Sequence, residues 1–223
     1  MKIQKGKIEF LMGIDKVEQL TAWLNERPDV NGVAFVGRSN VGKSSLINAL
    51  YGKSVARVSK TPGRTRQVNI FSFLVLDEVT KEEHKFYFFD VPGYGHAEVS
   101  KEMARNWEVL LTTFFRYVDQ KIALLNIQDA RHPLQESDEL FHDYLKNFDI
   151  EVFLIFNKID KLKTQSERAN LKKLMPSIYE KFKWVRQIHF ASAEKLDGVA
   201  GIEQAIISYV MRFKDNNRAF LSR

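Results

Sequence analysis

The octapeptide Gly37-Arg38-Ser39-Asn40-Val41-Gly42-Lys43-Ser44 follows the apolar run Val33-Ala34-Phe35-Val36. It precedes Ser44 to Leu50, where Leu46, Ile47 and Leu50 fall at helical spacing. This G-x-x-x-x-G-K-S pattern between a buried-type strand and a helix constrains the chain more than any other feature. It works only where a strand end and a helix start are held together. Gly37 and Gly42 let the backbone curl with no Cβ in the way. The loop N–H groups and the helix N-terminus then face an anion such as a phosphate. Lys43 is expected at β- and γ-phosphate oxygens, and the Ser44 hydroxyl on Mg²⁺. Arg38, Ser39, Asn40, Val41 and Ser45 complete the expected cradle.

Three later motifs also follow apolar strands. Asp90-Val91-Pro92-Gly93 ends the run Phe86 to Phe89. Asp90 is placed to hold Mg²⁺ through water, and Gly93 allows its backbone N–H close to a γ-phosphate. Asn157-Lys158-Ile159-Asp160 follows Val152 to Phe156. A carboxylate at Asp160 accepts from both N1–H and the 2-amino group of guanine, donors that adenine lacks on that edge. Asn157 suits the N7/O6 edge, and the Lys158 stem lies along the base plane. Ala191-Ser192-Ala193 follows the last strand, with the Ala193 N–H suited to O6. Between the first two motifs lies 59–67, SKTPGRTRQ. A threonine there can close on Mg²⁺ when a γ-phosphate is bound. Thr61 and Thr65 are both candidates; Thr65, nearer the next strand, is favoured, with Gly63 and Arg64 beside it. The set predicts a guanine nucleotide pocket loaded with GTP or GDP.

The rest of the pattern predicts an α/β fold. A short helix is expected over 15–25, strands over 68–76 and 85–90 with a hairpin tip between them, and a helix over 97–118. Strands at 122–127, 152–156 and 188–191 are separated by helical patterns at 135–147 and 165–181, and a helix at 199–213 closes the series. Alternating strands and helices imply a mainly parallel sheet with one antiparallel hairpin strand and helices on both faces. Ligands then bind at the carboxyl ends of the strands, where the GRSNVGKS, DVPG and NKID motifs lie. We divide the chain into an N-terminal extension (1–29), a nucleotide-binding domain (30–213) and a basic tail (214–223).

Composition narrows the setting. With no Cys there is neither a disulfide framework nor a thiolate metal site. No apolar run is long enough to span a membrane. The N-terminus has lysines but no apolar signal core, so a cytoplasmic monomer is expected. The 34 Lys and Arg exceed the 28 Asp and Glu by six. That balance is compatible with RNA or another anionic partner. Candidate contacts are Lys60, Arg64, Arg66, Lys161 and Lys163, then Lys172, Lys173, Lys181, Lys183 and Arg186 beside Phe182 and Trp184, then Lys214, Arg218 and Arg223. Basic residues interleaved with aromatics suit phosphate contact plus base stacking.

Taken together, GRSNVGKSSLINAL, SKTPGRT, DVPGYG, NKIDKL and ASAE resemble the TrmE-Era-EngA-EngB-septin-like GTPases. TPGRTR, DVPGYG and the DARHP at 129–133 make the EngB family the nearest likeness, over about 30–213. One departure is Asn157, where that family usually has Thr. The resemblance implies a Ras-like P-loop GTPase with Mg²⁺ and slow hydrolysis. It also implies a switch acting on a large ribosomal subunit precursor, with links to division and septation. Alternatives are a regulator at the septum without ribosome binding, or the GTPase partner of an RNA-modifying enzyme. The resemblance places Tyr94-Gly95-His96 where Ras-like enzymes carry a water-orienting Gln. Some relatives use a K⁺ ion held by an Asn in the P-loop, a position that Asn40 matches. Lys43, Thr65, Gly93 and Asn40 are thus the expected catalytic set. Arg64 and Arg66 are finger candidates, although contact with RNA or solvent is favoured for them; His96 is a candidate to position water, although a lone loop His is more often a polar surface residue.

Overall fold

The central strand β3 (Gly32–Gly37) is buried along its whole length. It lies parallel to β5 (Glu83–Asp90) on one side and β6 (Ile122–Asp129) on the other. Strands β7 (Val152–Asn157) and β8 (Val185–Ala191) continue the parallel ladder beyond β6. Beyond β5 the sheet turns antiparallel through β4 (Val68–Leu76), joined to β5 by the expected hairpin. The computed structural model describes residues 1–52, 55–56, 67–94, 101–118 and 121–221, with side chains at 101–104, 106–107 and 215–221 left aside.

Strand periodicity divides the core in two. Successive side chains point to opposite faces. Val33 and Phe35 of β3, Leu125 and Ile127 of β6, and Phe153 and Ile155 of β7 therefore share one face. That face is covered by α2 (Lys43–Tyr51) and α7 (Val199–Leu221). Ala34, Val36, Leu124, Leu154 and Phe156 share the other. It is covered by α1 (Val17–Asn25), α3 (Lys101–Tyr117), α4 (Glu136–Leu145), α5 (Gln165–Lys173) and α6 (Met175–Lys181). Burial on both faces explains why these strands read as continuous apolar runs rather than as alternation.

Several elements depart from the sequence expectation: β8 starts at Val185 rather than at 188, and α7 runs to Leu221 rather than ending at 213. The single helix expected over 165–181 is two helices, with Leu174 between them and Pro at the start of α6. Pro176 has no N–H and its ring crowds the preceding turn, so the helix restarts there. The first of the pair starts on a capping box, Thr164 with Glu167. In addition, β1 (Lys2–Ile3) and β2 (Glu9–Ile14) pair antiparallel with the outer side of β4. Ile3 and Ile14 are buried, and the Ile3 N–H donates to Glu203 Oε1 on α7 at 3.1 Å. The sequence hides β2 because a register shift between Phe10 and Met12 breaks its alternation, leaving Phe10 57% exposed.

Candidate functional site

The carboxyl ends of β3, β5, β6, β7 and β8 converge on one rim. At its centre the 37–44 loop leaves β3 and turns into α2 through two residues of positive φ, Asn40 (63°) and Gly42 (93°). Gly37 is demanded by its neighbours, and Gly42 by its dihedral angles as well. A Cβ on Gly37 would stand 2.4 Å from the Ile127 carbonyl oxygen, and one on Gly42 would stand 2.4 Å from Asn157 Nδ2. Gly93 is nearly as tight: a Cβ there would lie 2.8 Å from the Gly37 carbonyl oxygen. At this point the first two motifs approach each other backbone to backbone.

Lys43 opens α2, and its ammonium is paired with Asp90 Oδ1 at the end of β5. Both side chains are nearly buried, so this charge pair is poorly screened. Ser44 and Ser45 lie in the first turn of the same helix, partly exposed. Val91 is buried, and the Val91 N–H bonds to the Phe35 carbonyl, fixing where Pro92 and Gly93 leave the sheet.

Asn157 joins three motifs. Its Nδ2 donates to the Val41 carbonyl at 2.9 Å, and its Oδ1 accepts from the Ala193 N–H at 3.1 Å. The side chain expected only at a base edge is thus also a buried brace, with one amide N–H left over for a ligand. Lys158, at φ 68°, folds back over the loop. Its ammonium donates to the Asn40 carbonyl and pairs with Asp129 Oδ2 at 3.0 Å. Ile159 and Asp160 lie in a single 3₁₀ turn. The Asp160 carboxyl is held below the usual carboxylate range by a hydrogen bond with Ser192, aided by Lys161. Lys161 itself bridges Asp160 at 3.2 Å and Glu194 at 2.9 Å. A half-hidden, ionised acceptor beside the Ala191-Ser192-Ala193 turn is what recognition of two neighbouring N–H donors requires.

Two further groups had no role in the sequence reading. Asp129, in the DARHP run, receives a two-pronged contact from Arg131, Nε to Oδ1 at 2.9 Å and Nη2 to Oδ2 at 2.6 Å. Burial alone would raise its pKa, but the hydrogen bonds from Arg131 and Lys158 win and hold it far below normal. Asp129 thereby steadies Lys158 from behind. Asp138, on α4, is fully buried. Its carboxylate accepts Arg38 Nε at 2.9 and 3.0 Å, the Tyr94 hydroxyl at 2.8 Å and the Gln135 N–H at 3.0 Å. Arg38 also donates to the His132 carbonyl at 3.0 Å. Asn126 Nδ2 donates to the Tyr94 hydroxyl at 2.9 Å, and Gln128 continues the chain to Asn126 and to the Leu134 N–H. In sequence, Asp138 reads as an ordinary capping residue three places after Gln135. The DARHP run was the only signal that pointed near Asp129.

This network decides what Tyr94 does. Its ring stacks on Phe141 at 4.3 Å between centroids, and its hydroxyl is bound to Asp138, so it points into the fold. Burial, and then the Asp138 charge, push its pKa well above the ordinary value. Tyr94 therefore anchors the end of the 90–94 segment and cannot orient a water as a glutamine would.

Several expected residues lie outside the described residues: Lys60, Thr61, Gly63, Arg64, Thr65, Arg66, Gly95, His96 and Arg223, and the side chain of Arg218. One expectation is corrected. Phe182 is buried, stacked on His142 at 4.3 Å, and Trp184 Nε1 donates to His142 Nδ1 at 3.2 Å. These rings belong to the core beneath α4 and α6, so they are not a base-stacking surface.

Known proteins match this arrangement. Residues 32–158 match the family model described as 50S ribosome-binding GTPase. The probable GTP-binding protein EngB of Petrotoga mobilis is 40% identical over 171 residues, 77% of this chain and 79% of that protein. The EngB protein of Thermotoga petrophila is 47% identical over 145 residues, 64% of this chain and 68% of that protein. Among solved structures, Era in complex with MgGDPNP and nucleotides 1506–1542 of 16S ribosomal RNA superposes with a TM-score of 0.61 at 27% identity. That match covers 81% of this chain, which spans 57% of the Era chain. With this glycine-framed loop, its lysine and the Asn157–Asp160 turn on one rim, the chain belongs to the EngB family of GTP-binding proteins and is a P-loop GTPase.

Proposed function

We propose that this GTPase is a nucleotide-controlled switch that binds a large ribosomal subunit precursor in one nucleotide state and leaves it in the other. The observation that carries the switch is the direct linkage between Arg38 in the phosphate loop and Tyr94 at the end of the 90–94 segment, through Asp138. A change at the γ-phosphate reaches α4 through these three side chains. The ribosomal part draws support from the description of the matched family and from the RNA-bound Era structure.

In this reading the 38–44 N–H groups and the start of α2 hold the β-phosphate. Lys43 exchanges its Asp90 partner for phosphate oxygens. Mg²⁺ fits Ser44 and Asp90, both hard oxygen donors, with Thr65 joining from the 59–67 segment. It would neutralise charge on the β- and γ-phosphates. Asp160 accepts from guanine N1–H and the 2-amino group. The free amide N–H of Asn157 serves the N7/O6 edge, and the Lys158 stem covers the base. Gly93 presents its N–H to the γ-phosphate. With Tyr94 committed to Asp138, charge stabilisation falls to Lys43, Asn40 would hold a K⁺ ion that supplies further positive charge, and intrinsic hydrolysis is slow. Replacing K⁺ by Na⁺ in a turnover assay tests that ion, and equal rates would dispose of it. The chain works in the cytoplasm as a monomer, and effects on division and septation follow from subunit supply.

Co-sedimentation with ribosomal subunits in GTP and in GDP tests the main reading. A large-subunit species that pellets the protein in only one nucleotide supports it. No binding to any subunit in either nucleotide refutes it.

A further inference from the structure

The positive charge of this protein is concentrated in one stretch. Residues 161–186 hold eight Lys and Arg against two Glu, a surplus of six. The whole chain also carries a surplus of six, so everything outside this stretch balances, with 26 residues of each sign. The stretch comprises α5, α6 and the start of β8, a strand at one edge of the sheet. It begins directly after Asp160 and ends five residues before Ala191, so both its ends are tied to the guanine-recognition turns.

Few of these charges are neutralised locally. Lys161 is taken by Asp160 and Glu194, and Lys181 by Glu139 at 2.7 Å. Glu167 is used on the backbone, accepting the Lys163 and Thr164 N–H groups at 2.6 and 2.9 Å. Lys163, Arg168, Lys172, Lys173, Lys183 and Arg186 are all exposed, and among the described residues none has a carboxylate partner. Like charges left together on a rigid surface repel one another, and a polyanion relieves that repulsion. Tyr179, 38% exposed on α6, adds a ring suited to an unpaired base. A lipid surface fits less well. The one apolar residue of α5 larger than alanine, Leu171, is buried, so that helix has no apolar face to insert.

We infer that the α5–α6–β8 face is the surface that grips the phosphodiester backbone of an RNA partner. The inference rests on the reading above that the partner is RNA, and it adds where the chain holds it. Contact is electrostatic, independent of base sequence and weakened by salt.

The test is fluorescence anisotropy of the full-length protein, loaded with GDP, against a fluorescein-labelled mixed-sequence single-stranded RNA over a series of KCl concentrations. The triple variant Lys172→Gln, Lys173→Gln, Arg186→Gln is compared with Lys2→Gln, Lys7→Gln, Lys85→Gln. The second set removes the same charge from cations paired with Glu78, Glu83 and Glu9. Unchanged GDP affinity shows that each variant is folded. Three lost contacts on a single strand lower the slope of log K against log salt by about two, which is roughly a hundredfold in affinity near 0.1 M salt. The proposal expects that loss in the first variant and little change in the second. Equal weakening of both would make net charge, not this face, responsible, and would overturn it. Tighter binding to vesicles of phosphatidylcholine and phosphatidylserine than to RNA would also overturn it. Co-sedimentation separates this proposal from the ribosomal one. If the face binds RNA yet no subunit pellets, the ribosomal reading falls alone. If subunits pellet and the first variant pellets equally well, the face falls alone.

Discussion

Replacing Tyr94 by Phe separates anchoring from catalysis at the position where Ras-like enzymes carry a glutamine. The ring stays stacked on Phe141, so packing is preserved and only the hydroxyl is lost. That hydroxyl makes two buried hydrogen bonds, to Asp138 at 2.8 Å and from Asn126 at 2.9 Å. A hydrogen bond to a charged group is worth about 1.5–3 kcal/mol, and leaving the Asn126 N–H unpaired costs about 1–3 kcal/mol. The Asp138 carboxylate keeps Arg38 and Gln135, and the hydroxyl no longer has to be desolvated. The net loss is about 3 kcal/mol. For a chain of this size that is a fall in Tm of roughly 6–12 °C. Single-turnover GTP hydrolysis at saturating nucleotide should stay within about threefold, because the ring faces α4. A side chain that positions the attacking water would contribute about a hundredfold or more. The reasoning is refuted if Tyr94→Phe keeps its Tm and loses hydrolysis by that factor. Thermal unfolding by circular dichroism, run beside a quenched-flow assay, reads both quantities on one preparation.

Other perturbations follow from the same geometry. Gly42→Ala places a methyl group 2.4 Å from Asn157 Nδ2 at a φ of 93°, so stability should drop by about 1–3 kcal/mol and GDP affinity by more than tenfold; calorimetric GDP titration giving wild-type values would contradict this. Asp160→Asn removes a charged acceptor for two donors, worth about 3–6 kcal/mol, so GDP affinity should fall by roughly 10²–10⁴ while xanthosine diphosphate gains. Displacement of a fluorescent GDP analogue measures both, and unchanged GDP affinity would remove Asp160 from base recognition. Burial pushes the fully buried His142 down to about 4 from its ordinary value of 6.5. Its neutral form therefore contributes stability above pH 6.5 that is lost as pH falls towards 4, up to about 3 kcal/mol. His142→Gln keeps an acceptor for Trp184 and should flatten that part of the urea-stability profile; parallel profiles for the two proteins would exclude His142 as the source.

The elements that were legible in the sequence are those whose signal is local. The buried strands β3, β6 and β7 read as apolar runs because both their faces are covered, a property each strand carries in its own residues. β4 was read with its observed bounds because turn residues flank it. Elements set by distant neighbours were not legible. Pairing of β2 with β4 passes through a bulge, which cancels the period-2 pattern. The break between α5 and α6 depends on one proline that a periodic reading passes over. Phe182 and Trp184 looked like a stacking surface because sequence spacing does not say that the turn between α6 and β8 packs on His142 of α4.

The recognition chemistry was set by the sequence alone. Glycines that permit a tight loop, a lysine after them and a carboxylate in Asn157–Asp160 keep their chemical character in any fold that brings them together. Tertiary structure decided which of these groups hold each other. Asn157 became a brace because the ends of β3, β7 and β8 converge on it. Asp129 acquired a purpose because β6 delivers it behind Lys158. Tyr94 turned inward because α4 offers it a buried carboxylate, and a side chain with a charged partner inside the fold is unavailable outside it. Such pairings join residues as much as 116 positions apart, and only a folded backbone supplies the distances on which hydrogen bonds and ion pairs depend.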